Sequence, residues 1–273
     1  MARKKEKKVV LLTGASGGIG TAIAELLLSK EYTVYGTTRN LNSAAKAAYN
    51  QLQLDVQEDS SVKECVQEVM KKEGKIDILI NNAGYALCGA LKDLSMNLLK
   101  DSFETNLFGV HRMVQEVIPI MIKQGRGRII NIGTFGGRLG LPFQGIYSAT
   151  KAALAVYSDA LKIESLRDNI KVSILEPGDI KTDFHAGRKY SEGFENDPDA
   201  LKAVEIMRKD EQNGIKPEIV AKLALKVIKA RRPKPRYILG FKYYFLGTLM
   251  RLLPYTLHSF VIRLLYSVPK KRN

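Results

Sequence analysis

The sequence predicts an α/β fold, one domain built on a doubly wound parallel sheet with helices on both faces. Three observations carry that expectation. Short apolar runs with β-branched members alternate with stretches whose apolar residues recur at helical spacing, from Val9 to Leu239. The first run passes directly into a glycine-rich turn and then into a helical pattern. No linker divides the 273 residues, so residues 1–273 read as a single unit large enough to bury a substantial core.

Val9-Val10-Leu11-Leu12 is a continuous apolar run of the kind that suits a strand covered on both faces. Thr13-Gly14-Ala15-Ser16-Gly17-Gly18-Ile19-Gly20 follows at once, and residues 21–30 carry helical spacing. In such a strand–turn–helix Gly14 lets the chain turn, Gly18 lets the backbone approach a diphosphate, and Gly20 lets helix and strand pack closely. The helix N-terminus adds free amides and the positive end of its dipole, so Ser16 and Ile19 sit in a Rossmann-like phosphate loop.

Residues 33–38 read as the second strand. An acid usually ends it where a ribose 2′-hydroxyl must be held; here Thr37, Thr38 and Arg39 take that place. The planar fork of Arg39 suits a 2′-phosphate, so NADP(H) is expected over NAD, unless Arg39 stacks on adenine or faces water. Residues 52–56 fit a third strand and 60–72 a charged amphipathic helix. Residues 76–80 form a fourth strand ending in Asn81-Asn82-Ala83-Gly84, where open sheets of this class bind ligands. A helical stretch at 95–123 carries Asn106 in its apolar interior, which is costly unless its amide is used.

Residues 127–132 are the fifth strand, followed by Gly133-Thr134-Phe135-Gly136-Gly137. The helix at 147–166 places Tyr147 and Lys151 one turn apart on one face. A phenol with a reference pKa of about 10 trades protons poorly at neutral pH, and a neighbouring ammonium lowers that value. The pair can then serve as a general acid/base, although an isolated Tyr-x-x-x-Lys is ordinarily just an exposed helix pair. Residues 170–175 are the sixth strand, ending at Glu176-Pro177-Gly178 with Thr182 beyond. Residues 185–198 read as a mobile loop or lid, 199–211 and 217–230 as helices, and 236–239 as a last strand.

The formal charge is +15, concentrated in a basic head (Arg3, Lys4, Lys5, Lys7, Lys8) at residues 1–8 and a basic tail (Lys270, Lys271, Arg272). The head lacks the long apolar run of a secretory signal. An excess of this size suits an anionic cofactor, a membrane surface or nucleic acid, and the absence of a nucleic-acid motif argues against the last. Cys65 and Cys88 have no metal or disulfide spacing, so no metal is expected and a cytoplasmic compartment is.

The glycine turn, Asn81-Asn82-Ala83-Gly84, Asn106, Tyr147-Ser148-Ala149-Thr150-Lys151 and Pro177-Gly178, in that order over residues 9–182, resemble the classical short-chain dehydrogenase/reductase family. The resemblance implies that Tyr147 exchanges the substrate proton, that Lys151 lowers its pKa and binds the nicotinamide ribose, and that Asn106 holds a relay water. It places Asp55 and Val56 along the adenine, Asn82, Ala83 and Gly84 along the cofactor with Pro177 and Gly178, and Thr182 at the carboxamide. The family usually has Ser thirteen residues before its Tyr; here Thr134 stands there. A Thr hydroxyl can make the same hydrogen bond, while its methyl restricts χ1 and crowds the pocket.

Residues 183–273 read as substrate loop and C-terminal helical region. Pro235-Arg236-Tyr237-Ile238-Leu239-Gly240 and Met250-Arg251-Leu252-Leu253-Pro254 resemble the 17β-hydroxysteroid-dehydrogenase-like subgroup, which implies a steroid, retinoid or lipid-like substrate. Lys242, Arg251, Arg263 and Pro254 break residues 241–268 below the roughly 20 apolar residues that a span needs. Lid, dimer contact and peripheral membrane contact all stay open for this segment. The expectation is thus an NADP(H)-dependent oxidoreductase interconverting a ketone or aldehyde and an alcohol, a homodimer or homotetramer by family habit. The other reading is a non-catalytic dinucleotide-binding sensor or scaffold on the same fold.

Overall fold

The computed structural model describes residues 6–41 and 47–269. Arg3, Lys4 and Lys5 of the basic head and Lys270, Lys271 and Arg272 of the tail lie outside the described residues. In chain order the elements begin β1 (Val9–Leu12), α1 (Gly18–Leu28), β2 (Thr33–Thr38), β3 (Asn50–Gln53), α2 (Asp59–Glu73) and β4 (Ile78–Asn81). They continue with β5 (Leu87–Cys88), α3 (Met96–Phe103), α4 (Gly109–Lys123), β6 (Gly127–Ile132), α5 (Gly145–Glu164) and β7 (Ile170–Pro177). Last come β8 (Lys189–Tyr190), α6 (Pro198–Gln212), α7 (Pro217–Lys229), β9 (Arg236–Leu239), α8 (Phe241–Leu252) and α9 (Tyr255–Leu265).

Seven strands pair in the order β3-β2-β1-β4-β6-β7-β9, all parallel. The alternation of side chains along β1 shows why both faces are covered. Val9 and Leu11 join a core with Val62 of α2, Met113 of α4 and Leu154 of α5. Val10 and Leu12 point the other way, into a core with Ile23 of α1 and Val220 and Val227 of α7. None of these four β1 side chains retains exposed surface, and a fully buried Val or Leu contributes about 1.5–3 kcal/mol. Since β2 lies on one side of β1 and β4 on the other, the strand order reverses there, and a crevice opens at their carboxyl ends.

Four features differ from the sequence reading. The third strand is Asn50–Gln53, and Leu54, Asp55 and Val56 leave the sheet to line the crevice instead. The helical stretch at 95–123 is continuous but not uniform: a π-turn, Glu104–Phe108, joins α3 to α4 with Asn106 at its centre. The segment at 185–198 is ordered rather than a plain loop. It holds 3-10 turns at Asp183–Gly187 and Phe194–Asn196, and β8 pairs in parallel with β5. Finally, α8 is seated by its inner face. The Tyr243 ring lies against Gly178 and 5.3 Å from Phe135, and its hydroxyl donates to the Asp179 carboxylate while accepting from the Asp179 N–H at 3.1 Å. Among the described residues no helix is long and apolar enough to cross a membrane.

Candidate active site

A cleft of about 790 Å³ occupies the crevice. It collects nearly every residue singled out in the sequence: Gly14, Ser16, Gly18, Ile19, Arg39, Asp55, Val56, Asn82, Ala83 and Gly84 at one end. Thr134, Tyr147, Lys151, Pro177, Gly178 and Thr182 line the other. Gly20 and Asn106 stand behind the wall rather than on it.

The glycine turn is fixed by its neighbours. Gly14 adopts φ +65°, and a Cβ there would approach Ala83 Cα at 2.9 Å. The Thr13 hydroxyl accepts from the Asn82 and Ala83 N–H groups at 2.9 and 3.0 Å, and the Asn82 amide donates back to the Gly14 carbonyl at 2.8 Å. At Gly18, the first residue of α1, a Cβ would meet Thr182 Cγ2 at 2.5 Å, so the turn and the segment after β7 approach across the cleft. No acidic residue sits in the first turn of α1 and no side chain caps it, leaving its amides for an anion. This cradle, filled by any Cβ, fits a dinucleotide diphosphate. Arg39 is exposed at the end of β2, beside Thr38 and Asn40 on the cleft wall.

Behind the cleft a chain of buried amides orients α5, the helix that carries Tyr147 and Lys151. Asn81 of β4 donates to Asn131 Oδ1 of β6 at 2.8 Å, and Asn131 donates to Ser158 of α5 at 2.8 Å. Sequence reasoning missed Asn131 and Ser158, since a strand Asn and a helix Ser carry no signal until three elements meet. The Asn106 amide is likewise committed. Its Nδ2 donates to the Tyr85 carbonyl at 3.0 Å and Thr150 Oγ1 at 3.2 Å, and its Oδ1 accepts from the Tyr85 N–H at 3.1 Å. The π-turn turns this side chain inward, against Gly84, so Asn106 braces the wall.

On α5, Lys151 is buried and donates from Nζ to the Ile132 carbonyl at 3.0 Å. Burial lowers its pKa to about 8. The Tyr147 phenol is shifted upward. Burial raises its pKa well above the usual phenol value, the Glu211 carboxylate raises it further, and the Arg188 guanidinium opposes them. Among the described residues nothing hydrogen-bonds the Tyr147 hydroxyl; its ring lies 6.1 Å from Phe184. Thr134 Oγ1 accepts from the Gly136 N–H at 3.2 Å and donates to the Pro177 carbonyl at 3.3 Å. Thr182 Oγ1 accepts from the Phe184 N–H at 3.3 Å, which begins the 3-10 turn over the cleft.

Two further residues escaped the sequence reading. Arg188, buried, is ion-paired with Glu211, which lines the cleft from the last turn of α6. An Arg in a polar loop and a Glu ending an amphipathic helix both look like solvated charges in sequence. Next to Arg188, Lys189 pairs with Asp101 of α3 at 2.5 Å, so the segment after β7 is held on both sides of the cleft.

The sequence profile of the short chain dehydrogenase family matches residues 8–192. A 3-ketodihydrosphingosine reductase of Bacteroides thetaiotaomicron is 36% identical over 239 residues, covering 86% of this chain and 88% of that protein. Human 17-beta-hydroxysteroid dehydrogenase type 1 is 31% identical over 263 residues, covering 85% and 77%. Among solved structures, a short-chain dehydrogenase from Streptomyces avermitilis superposes with a TM-score of 0.82 at 32% identity, covering 92% of this chain and 94% of that one. ElxO with NADP bound (TM-score 0.72, 25% identity, 86% and 96% covered) and a Burkholderia phymatum short-chain dehydrogenase/reductase with NAD (0.78, 25%, 91% and 93%) share the fold with either dinucleotide in place.

Proposed function

The chain belongs to the short-chain dehydrogenase family, and from that premise we propose that it is an NADP(H)-dependent oxidoreductase interconverting a carbonyl and an alcohol on a hydrophobic, lipid-like substrate. The oxidoreductase class and a nicotinamide dinucleotide cofactor follow from the family; the choice of NADP(H) and of a lipid-like substrate is the proposal. One observation carries it. Tyr147, Thr134 and Lys151 line the same cleft as a diphosphate cradle that ends at a strand without an acid and with Arg39.

A nicotinamide dinucleotide held in the cradle of Gly14, Gly18 and Ile19 would supply the hydride chemistry at the carbonyl carbon. The protein's part is position and charge. Tyr147, its pKa held up by burial, stays protonated around neutral pH and delivers a proton to the carbonyl oxygen. The Thr134 hydroxyl, just past the end of β6, turns from the Pro177 carbonyl to hydrogen-bond the same oxygen and stabilises its developing charge. Lys151 supplies a buried cation behind Tyr147, and Asn106 braces that wall through Tyr85 and Thr150. Arg39, exposed on the cleft wall at the end of β2, would pair its fork with a 2′-phosphate.

A lipid-like substrate is supported by the 3-ketodihydrosphingosine and 17-beta-hydroxysteroid activities for which two relatives are named. The C-terminal helices add a peripheral contact with an anionic bilayer. Their outer faces expose Phe241, Tyr244, Phe245, Phe260 and Leu264, and residues 241–273 contain no Asp or Glu against six Lys or Arg. The test of the reaction is a panel of long-chain ketones, steroids, retinoids and small ketones with NADPH and NADH. The expected result is turnover of long-chain or polycyclic carbonyls, with NADPH favoured by about tenfold or more and the preference lost in Arg39→Ala. Dinucleotide binding without turnover of any carbonyl would favour the sensor reading instead.

A further inference from the structure

Beside the cleft, where Glu211 lines it, the protein leaves polar atoms unmatched. Arg188 donates from Nη2 to Glu211 Oε1, yet among the described residues Arg188 Nε has no acceptor, Glu211 Oε2 no donor and His185 Nδ1 no partner. All three atoms are buried. A buried polar group without a partner is rare enough in folded proteins to need an explanation, and one is a ligand that completes the set.

The surroundings exclude the simplest alternative. If the ion pair served only to tie the segment after β7 to α6, a single contact would suffice, and the second carboxylate oxygen would gain from turning to solvent or to a backbone amide. Instead Glu211 faces the cleft that Tyr147 lines. The two groups are near enough that its carboxylate is the charge that most raises the Tyr147 pKa. Of the charged groups that act on Glu211, Asp179 already accepts from Tyr243, while His185 Nδ1 shares the lack of a partner. Arg188 also neutralises the Glu211 charge, so the pair presents an acceptor oxygen without a net charge to repel a neutral substrate. Fixed at both ends of a short segment, the pair is preorganised.

We propose that Glu211, held by Arg188, is the specificity-determining acceptor for a substrate that carries a hydrogen-bond donor, a hydroxyl or an ammonium, close to the reacting carbonyl. The proposal rests on the carbonyl-reducing function set out above and names its substrate class more closely. A site built around an acceptor strongly rejects the analogue that lacks the donor, because the buried oxygen is then left unpaired. The same oxygen repels a carboxylate at that position.

The test compares a long-chain ketone with its α-hydroxy and α-amino counterparts of equal length, by kcat/KM with the preferred cofactor. The wild-type protein is expected to favour a donor-bearing ketone by about tenfold or more. Glu211→Leu combined with Arg188→Met removes both charges while keeping apolar volume, and should bring that ratio to within about twofold of unity. Glu211→Gln separates the donors: a hydroxyl preference survives on the amide oxygen, and an ammonium preference falls because it depends on charge. A purely structural pair would lower both members of each comparison and leave the ratio unchanged, which would overturn the proposal, as would a wild-type ratio near one. Dissociation constants of the same compounds for the NADP-loaded protein decide the proposal separately from turnover. Absence of turnover with a donor preference intact would refute only the reaction.

Discussion

Tyr147 and Lys151 share one face of α5, yet burial moves their pKa values in opposite senses, the phenol upward and the ammonium down to about 8. Both shifts favour the uncharged form, as removal from water requires. The phenol is thereby kept as a proton donor near neutral pH, which suits the reductive direction. Thr134 is the residue on which the site departs from its family, and its hydroxyl is shared between the Gly136 N–H and the Pro177 carbonyl. Thr134→Ser, which keeps the hydroxyl and removes the crowding methyl, should retain or raise turnover. Thr134→Val keeps the shape without the donor and should lower kcat by about tenfold or more. Steady-state kinetics on both variants checks this, and full activity in Thr134→Val would remove Thr134 from the reaction. The positions of these three residues were legible because each belongs to a local pattern. The direction of the Tyr147 shift was not, since it is set first by burial and then by the Glu211 carboxylate, both of which arise only when distant segments fold together.

At the scale of elements, strands and helices with a clear period were readable, and the fifth and last strands coincide with β6 and β9. What escaped were elements too short or too irregular to have a period. The two-residue β5 and β8 exist only because they pair with each other, and the π-turn inserts one extra residue in a helix that otherwise keeps its apolar spacing. Asn106 signalled that turn, as a costly Asn inside an apolar stretch, without revealing its geometry. The C-terminal segment divides its roles between two faces. Tyr243 and Gly247 of α8 close on Gly178 and Phe135, packing behind the cleft, while Phe241, Tyr244 and Phe245 remain outside. If the outer face meets a bilayer, the protein should co-sediment with vesicles containing phosphatidylserine and much less with phosphatidylcholine alone. Phe241→Ser with Phe245→Ser should weaken that binding severalfold, and added salt should weaken it too. Equal recovery in the supernatant with both vesicle types would refute the contact.

For the molecule as a whole, the order of strands turns separate weak motifs into one site. A glycine turn after β1, Asn82 after β4, Thr134 after β6 and Pro177 at the end of β7 lie at carboxyl ends of adjacent parallel strands, so they must converge on one crevice. The two cores on either face of β1 fix that sheet, and the Asn81–Asn131–Ser158 chain fixes α5 against it. Breaking one link of such a buried chain costs about 1–3 kcal/mol, so the catalytic helix is held by more than apolar packing. Fold class and most of the cleft were legible because the βαβ pattern repeats along the chain; the rest was not, because its wall comes from the end of α6 and the segment after β7. The central claim is that this cleft reduces a carbonyl with Tyr147 as the proton donor. The most direct measurement is single-turnover oxidation of bound NADPH by a ketone substrate in Tyr147→Phe, followed with the cofactor dissociation constant. A loss of rate of about a hundredfold or more, with cofactor binding within about threefold of wild type, is the predicted result. Wild-type turnover in Tyr147→Phe would contradict it.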